Sequence, residues 1–327
     1  MNRGFPGGDI MRDSSLIKMA GLFWVTALLF VWAGAMNGAA ATGFTVGPKK
    51  CQECHLDEAK VWEGTKHFSS LKKVHKDKRA KKIVRAIGDK RMKKSETCAM
   101  CHYTDAAKKA GGKRKIVAGP ACESCHGPSS DWIAVHNDYG KGVKRAAEPA
   151  AHKLERLKKS EAAGMVRPSK LYDVAANCMS CHGLAAPGLD GKIAEKMLDN
   201  GHPLNLNFEM VEYSQGSVRH RFYPPTVTVN KELDAAGLSR LYVVGHAAAL
   251  VSASAAVKNS GHEKYKAAQK KRIAKATAAL EAVKGQVAAA GALLSDPSAA
   301  NGRALADAIV GMDLSGAVGP MLPKKYK

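Results

Sequence analysis

All eight cysteines of the chain fall in four copies of Cys-x-x-Cys-His: Cys51/Cys54/His55, Cys98/Cys101/His102, Cys122/Cys125/His126 and Cys178/Cys181/His182. In this unit two thiols can add across the vinyl groups of a haem, and the imidazole that follows is brought under the iron. Zinc would draw on two Cys-x-x-Cys pairs per ion and has no need of a histidine directly after each. A disulfide framework would not place a histidine there either, and a thioredoxin-like redox pair would need one copy, not four. The pattern therefore points to four covalently held c-type haems with iron as the metal, and to electron transfer as their use.

A sixth iron ligand decides what such a haem can do: a second histidine closes the iron for electron transfer, and a vacant position admits a small molecule. Eight histidines lie outside the four units. His67, His136, His202 and His220 stand beside Trp, Phe or Pro in otherwise structured stretches and are the candidate distal ligands. His67 lies twelve residues after His55, and His136 ten after His126, too far along one helix to reach the same iron. Only 24 residues separate His102 from His126, which suggests that these two haems are close neighbours. His75, His152 and His262 sit among charges and read as solvent-exposed. His246 reads as a buried, hydrogen-bonded residue.

The elements that must position these groups are mainly helical. Residues 47–50 read as a loop delivering the first unit, and residues 53–73 have helical spacing through Ala59, Val61, Trp62, Phe68 and Leu71. Residues 72–94 hold twelve Lys or Arg against Asp77 and Asp89, with Ile83, Val84 and Ile87 on a face that could be held against the body. That run reads either as a solvated helix or as a docking patch. Residues 106–115 read as a loop, 148–167 as a charged helix and linker, and 192–200 as a short helix. The Pro224-Pro225 pair marks a boundary, beyond which helices are expected at 233–257, 263–294 and 298–309, with breaks at Ser260-Gly261 and Asp296-Pro297. Residues 241–257 approach a membrane span in length, but His246, Ser252 and Ser254 favour a buried helix.

Three regions result: a leader over 1–41, a tetrahaem domain over 42–225 and an alanine-rich helical extension over 226–327. The leader has a basic start, an apolar run over residues 19–36 and small residues through Ala41, the pattern of a secretory signal peptide, with an uncleaved membrane anchor as the alternative. Either places the haem units outside the cytoplasm, in a periplasmic setting. Aromatics make up 6% of the chain, so porphyrins would supply much of the apolar bulk that the polypeptide wraps. The formal charge is +22. Export argues against nucleic acid as the partner of this basic surface, leaving an acidic redox protein, such as a quinone-linked membrane cytochrome, or an anionic membrane surface.

Gly-Pro-Ala-Cys-Glu-Ser-Cys-His-Gly-Pro followed by His136, and the first unit followed by Trp62 and His67, resemble the tetrahaem cytochrome c-554 family over about residues 50–223. The resemblance implies a multihaem cytochrome c fold, mainly α, wrapped around four haems, and a periplasmic carrier that takes electrons from a hydroxylamine oxidoreductase-like donor. It implies that His67 caps the haem held by His126 and that His136 caps the haem held by His182. The haem held by His55 would be capped by His202 or His220. It further implies that the haem held by His102 is open on its distal side, although two late histidines could close it. An open iron there is the basis of the rival reading, a small multihaem reductase acting on a nitrogen oxide. The extension over 226–327 has no counterpart in the family's short carriers.

Overall fold

The structure is a computed structural model and describes residue 1 and residues 43–327, apart from 205 and 225. The expected leader lies outside the described residues. Residues 43–327 lie within one compact unit that is mainly helical.

The first half is built from short helices: α1 (Pro48–Gln52), α2 (Leu56–Glu63), α3 (Lys66–Lys73), α4 (Lys78–Ala86), α5 (Glu96–His102), α6 (Cys122–His126), α7 (Ala150–Ala162), α8 (Leu171–His182), α9 (Gly191–Asp199) and α10 (Met210–Ser214). Residues 47–50, read as loop, give their last three residues to α1, since Pro48 at a first helical position needs no amide partner. The helical stretch over 53–73 breaks at Gly64, after which Thr65 caps α3 by accepting from Phe68 N at 3.2 Å. The expected loop over 106–115 begins and ends in a hairpin, β1 (Thr104–Ala106) against β2 (Lys115–Ala118), antiparallel.

The second half is α11 (Ala235–Asn259), α12 (Glu263–Lys284), α13 (Ala288–Ser295), α14 (Ala299–Ala308) and α15 (Ser315–Val318). α11 is long and apolar enough to cross a membrane by length and composition alone, yet most of it is buried inside the protein. Fourteen of its residues are buried, because helices pack on it from several sides. The helix expected over 263–294 is two helices, separated at Gly285 and Gln286. These helices share one core of Val243, Val244, Leu280, Val283, Leu293, Leu305 and Leu314, among others. α8, which ends in the fourth Cys-x-x-Cys-His unit, contributes Tyr172, Ala175 and Met179 to that same core. Gly302 on α14 permits this docking, since a Cβ there would lie 2.0 Å from Tyr172 Cε2. The helical extension thus grips the haem-motif region through α8.

Candidate functional site

Each Cys-x-x-Cys-His unit lies on a helical turn or at its exit: the second closes α5, the third is α6, the fourth closes α8, and the first runs through the end of α1. Residues three and four apart share a helix face, so both thiols and the imidazole of a unit project to one side. Apart from Cys98, which is buried with Val84, Met92 and Tyr103, those groups line a cavity of about 2880 Å3, several times the roughly 300–1,000 Å3 of an ordinary small-molecule pocket.

Across this cavity every motif histidine faces one of the four candidate distal histidines. Ring centres are 6.4 Å apart for His55 and His136, 6.1 Å for His102 and His202, 6.3 Å for His126 and His220, and 5.9 Å for His182 and His67. A ligating imidazole nitrogen stands roughly 2 Å from its metal and about 1 Å from its own ring centre, so two rings on opposite sides of one metal have centres about 6 Å apart. All four pairs meet that condition. The pairing differs from the one the resemblance implies. His67 faces His182 instead of His126, His136 faces His55 instead of His182, and His220 faces His126. His202 stands opposite His102, so the position expected to be open has an imidazole across from it.

Hydrogen bonds set the tautomer of several of these rings. The Nδ1 atoms of His126, His136, His202 and His220 lie 2.8, 2.6, 3.0 and 2.6 Å from the carbonyl oxygens of Val166, Ile133, Pro203 and Val218. A carbonyl can only accept, so each Nδ1 carries the proton and each Nε2 lone pair is left for a metal. Burial favours the neutral form of six of the eight rings: it pushes His102 down to about 4, assisted by the charges of His202 and His67, and His182 to about 4 as well, while His67, His126, His136 and His202 are also lowered by burial.

The thiols connect the four units in space. Cys51 lies near Cys122, Cys125 near Cys178, and Cys181 near Cys101. The units therefore run in the order first, third, fourth, second. The second and third, which their short spacing suggested as neighbours, are not adjacent in this series, although the intervening hairpin pairs Thr104 with Ala118. Among the described residues no three His, Cys, Asp or Glu side chains are grouped to hold a metal ion, so the thiols are not arranged as zinc sites.

The cavity suits haem in further ways. Trp132 Nε1, Ser214 Oγ and Arg221 Nε are buried without partners, and their residues line it, giving donors for porphyrin carboxylates. Glu123, inside the third unit, accepts from Val46 N, Gly47 N, Ser129 N and Ser129 Oγ at 3.0, 2.8, 2.9 and 2.6 Å. It ties the approach to the first unit onto the third, a role that a glutamate between two cysteines did not announce in the sequence. His67 is held by close backbone packing: a Cβ at Gly119 would lie 2.0 Å from His67 O, and Trp62 Nε1 donates to Pro120 O at 2.8 Å. Arg156 donates to His136 O at 2.5 Å and to both carboxylate oxygens of Glu148 at 2.7 and 2.6 Å.

The extension holds the fourth unit. Tyr265 Oη donates to Leu184 O at 2.7 Å, Gln269 Nε2 to Gly183 O at 2.9 Å, and Arg272 to Gln269 Oε1 at 2.7 Å. Phe208 stacks on His182 with centres 4.0 Å apart. The remaining histidines depart from expectation. His262, read as exposed, caps α12 and pairs with Asp199 at 2.8 Å. His152 pairs with Glu148 at 2.9 Å, and His75 is half-buried with an unpartnered Nδ1. His246 is buried, but its Nε2 has no hydrogen-bond partner and its ring packs edge-on against Tyr242 at 4.3 Å.

A family model described as cytochrome c554 and c-prime matches residues 50–127, which contain the first three units. Cytochrome c-554 of Nitrosomonas europaea is 26% identical over 164 residues, covering 48% of this chain and 65% of that relative. No solved structure matches the chain. Over the part that carries its first Cys-x-x-Cys-His units, this chain is similar to the cytochrome c-554 family of c-type cytochromes.

Proposed function

We propose that the chain is an exported tetrahaem c-type cytochrome that carries electrons between periplasmic redox proteins. The observation that carries this reading is the set of four imidazole pairs with ring centres 5.9–6.4 Å apart, each opposite a pair of thiols spaced for thioether attachment. His55 with His136, His102 with His202, His126 with His220, and His182 with His67 would hold the four haems. Iron between two neutral imidazoles changes charge with little rearrangement, which suits electron transfer.

The protein's own part is to fix spacing, tautomer and burial. Neighbouring sulfurs would be the attachment points of different haems, so the series Cys51–Cys122, Cys125–Cys178, Cys181–Cys101 favours haems packed in one row with short steps between them. The row supports transfer through the molecule instead of chemistry at one iron. The rival reductase reading rested on an open iron at His102, and with His202 opposite it that reading has no observation in its favour. Export is supported by the basic, then apolar, leader, and by the need to attach haem outside the cytoplasm. The basic surface favours an acidic partner, a hydroxylamine oxidoreductase-like donor or a quinone-linked membrane cytochrome.

The test is made on the purified, exported protein. Its mass should include four haems, and the spectrum of the reduced form should not change on adding carbon monoxide or nitric oxide. A mass with fewer haems rejects the tetrahaem reading, and a spectral change restores the reductase.

A further inference from the structure

We infer that the haem site of Cys98, Cys101 and His102 is the port at which this protein exchanges electrons with an acidic protein, docked on the basic face formed by residues 72–94. The inference rests on the electron-carrier reading and adds to it which site meets the partner and where.

The charge run is exposed throughout: all twelve of its Lys and Arg side chains face solvent. Against two Asp it carries a net +10, nearly half of the chain's +22 in 23 residues. The ion pair found within it, Arg79 with Asp77 at 3.7 Å, is itself open to solvent. On other helices some charges are matched one turn apart, as in Lys159–Glu155, Lys266–Glu263 and Lys284–Glu281, and the unpaired lysines of α12, Lys264, Lys270 and Lys271, are fewer and more scattered. The other end of the thiol series is matched too, with Lys50–Glu53 and Lys60–Asp57 beside the first unit. The two ends of the series therefore differ, with paired charges beside the first unit and a long, largely unpaired run beside the second.

The run is also rigidly fixed to the second site. On α4, Ile83 and Val84 are buried, Val84 joining Met92, Cys98 and Tyr103 in one apolar cluster. Ile83 packs with Leu184, Ala194 and Met197 instead. The helix that carries His102 begins at Ser95, which follows the basic turn Met92–Lys94 directly and caps α5 by accepting from Cys98 N at 3.2 Å. His202 leaves α9 with its amide on Met197 O at 2.9 Å. Both jaws of this site are therefore carried by elements packed against the underside of α4. Between α4 and the turn lies a hollow of about 480 Å3 rimmed by Lys81, Arg85, Lys90, Arg91, Lys93 and Lys94, of a size and charge to receive carboxylates. The second unit ends the thiol series, where an electron must enter or leave.

The test uses the haem-loaded protein and reduced plant-type [2Fe–2S] ferredoxin as the acidic probe. One variant reverses Lys78→Glu, Lys81→Glu and Lys82→Glu on α4; a control reverses Lys264→Glu, Lys270→Glu and Lys271→Glu on α12, all exposed, for the same change in net charge. At low ionic strength the bimolecular reduction rate of the α4 variant should fall on the order of tenfold and that of the control less than twofold, with the difference vanishing at high salt. Carbodiimide cross-linking of the native pair should join ferredoxin carboxylates to lysines within residues 72–94. Equal rate losses in both variants, no loss in either, cross-links elsewhere, or no cross-links would overturn the assignment. So would an α4 variant that loses only its binding to phosphatidylglycerol vesicles, which would make the patch a membrane contact. A native protein lacking four haems would instead reject the carrier reading itself, whatever the variants do.

Discussion

The two halves of the molecule solve the burial problem differently. In the extension, Leu280, Leu293, Leu305, Ile309 and Leu314 are almost wholly excluded from solvent within one continuous side-chain core. In the half that carries the motif units, α8 and α10 lend Tyr172, Ala175, Met179, Met210 and Val211 to that core, and the other buried apolar residues form smaller clusters, one of them Val84, Met92, Cys98 and Tyr103, around a cavity of about 2880 Å3. The extension packs on itself and on α8 and α10, whereas the rest of the motif-bearing half is shaped around what fills it. A polypeptide of this kind should couple its folding to cofactor attachment in one half only, because a group that binds the folded state alone stabilises that state.

The sharpest way to break the comparison is to remove every attachment point. With all eight cysteines changed to serine, amide protection in α1–α6 should be lost almost completely, while α11 and α12 stay protected, as read by hydrogen exchange. Equal loss in both halves would show that the extension has no independent core. The reverse experiment cuts the extension: Leu280→Ala, at a fully buried position, should cost about 3 kcal/mol of unfolding free energy. Denaturant titration should show this cost with the native haem spectrum unchanged.

A smaller effect belongs to Glu123. Glu123→Ala leaves four donors without their acceptor and should destabilise the protein by about 2 kcal/mol. Exchange should quicken at Val46, Gly47 and Ser129 before it does so elsewhere. The smallest effect is one of pH. Arg156, and then His152, hold Glu148 down to about 2 from an ordinary 4.5. A carboxylate whose pKa is lowered on folding stabilises fully above its ordinary value, and that contribution disappears as the pH falls toward 2. Because Arg156 also holds the His136 carbonyl, the spectrum of the His55–His136 site should change over that acid window, and Glu148→Gln should remove this step.

The likeness to c-type cytochromes was legible in the sequence, because Cys-x-x-Cys-His compresses its geometry into one helical turn. So were α4, α7, α9 and α11, whose apolar or charged spacing is regular. The partner of each motif histidine was not legible. His136 and His67 reach their rings through loops and helix packing that no local spacing encodes, and the family resemblance paired them differently. The hairpin over residues 104–118 was missed because its strands are only three and four residues long, and the break at Gly285 because one glycine in an alanine-rich helix is weak punctuation. Glu123 and the Tyr265–Gln269–Arg272 clamp act across long chain separations and left no local signal.

The pairing of imidazoles is tested most directly by electron paramagnetic resonance of the fully oxidised, haem-loaded protein, with iron content measured on the same sample. Low-spin signals that together integrate to four irons per chain, with no high-spin component, are the expected result. A high-spin iron, or fewer than four irons, would contradict four closed imidazole pairs.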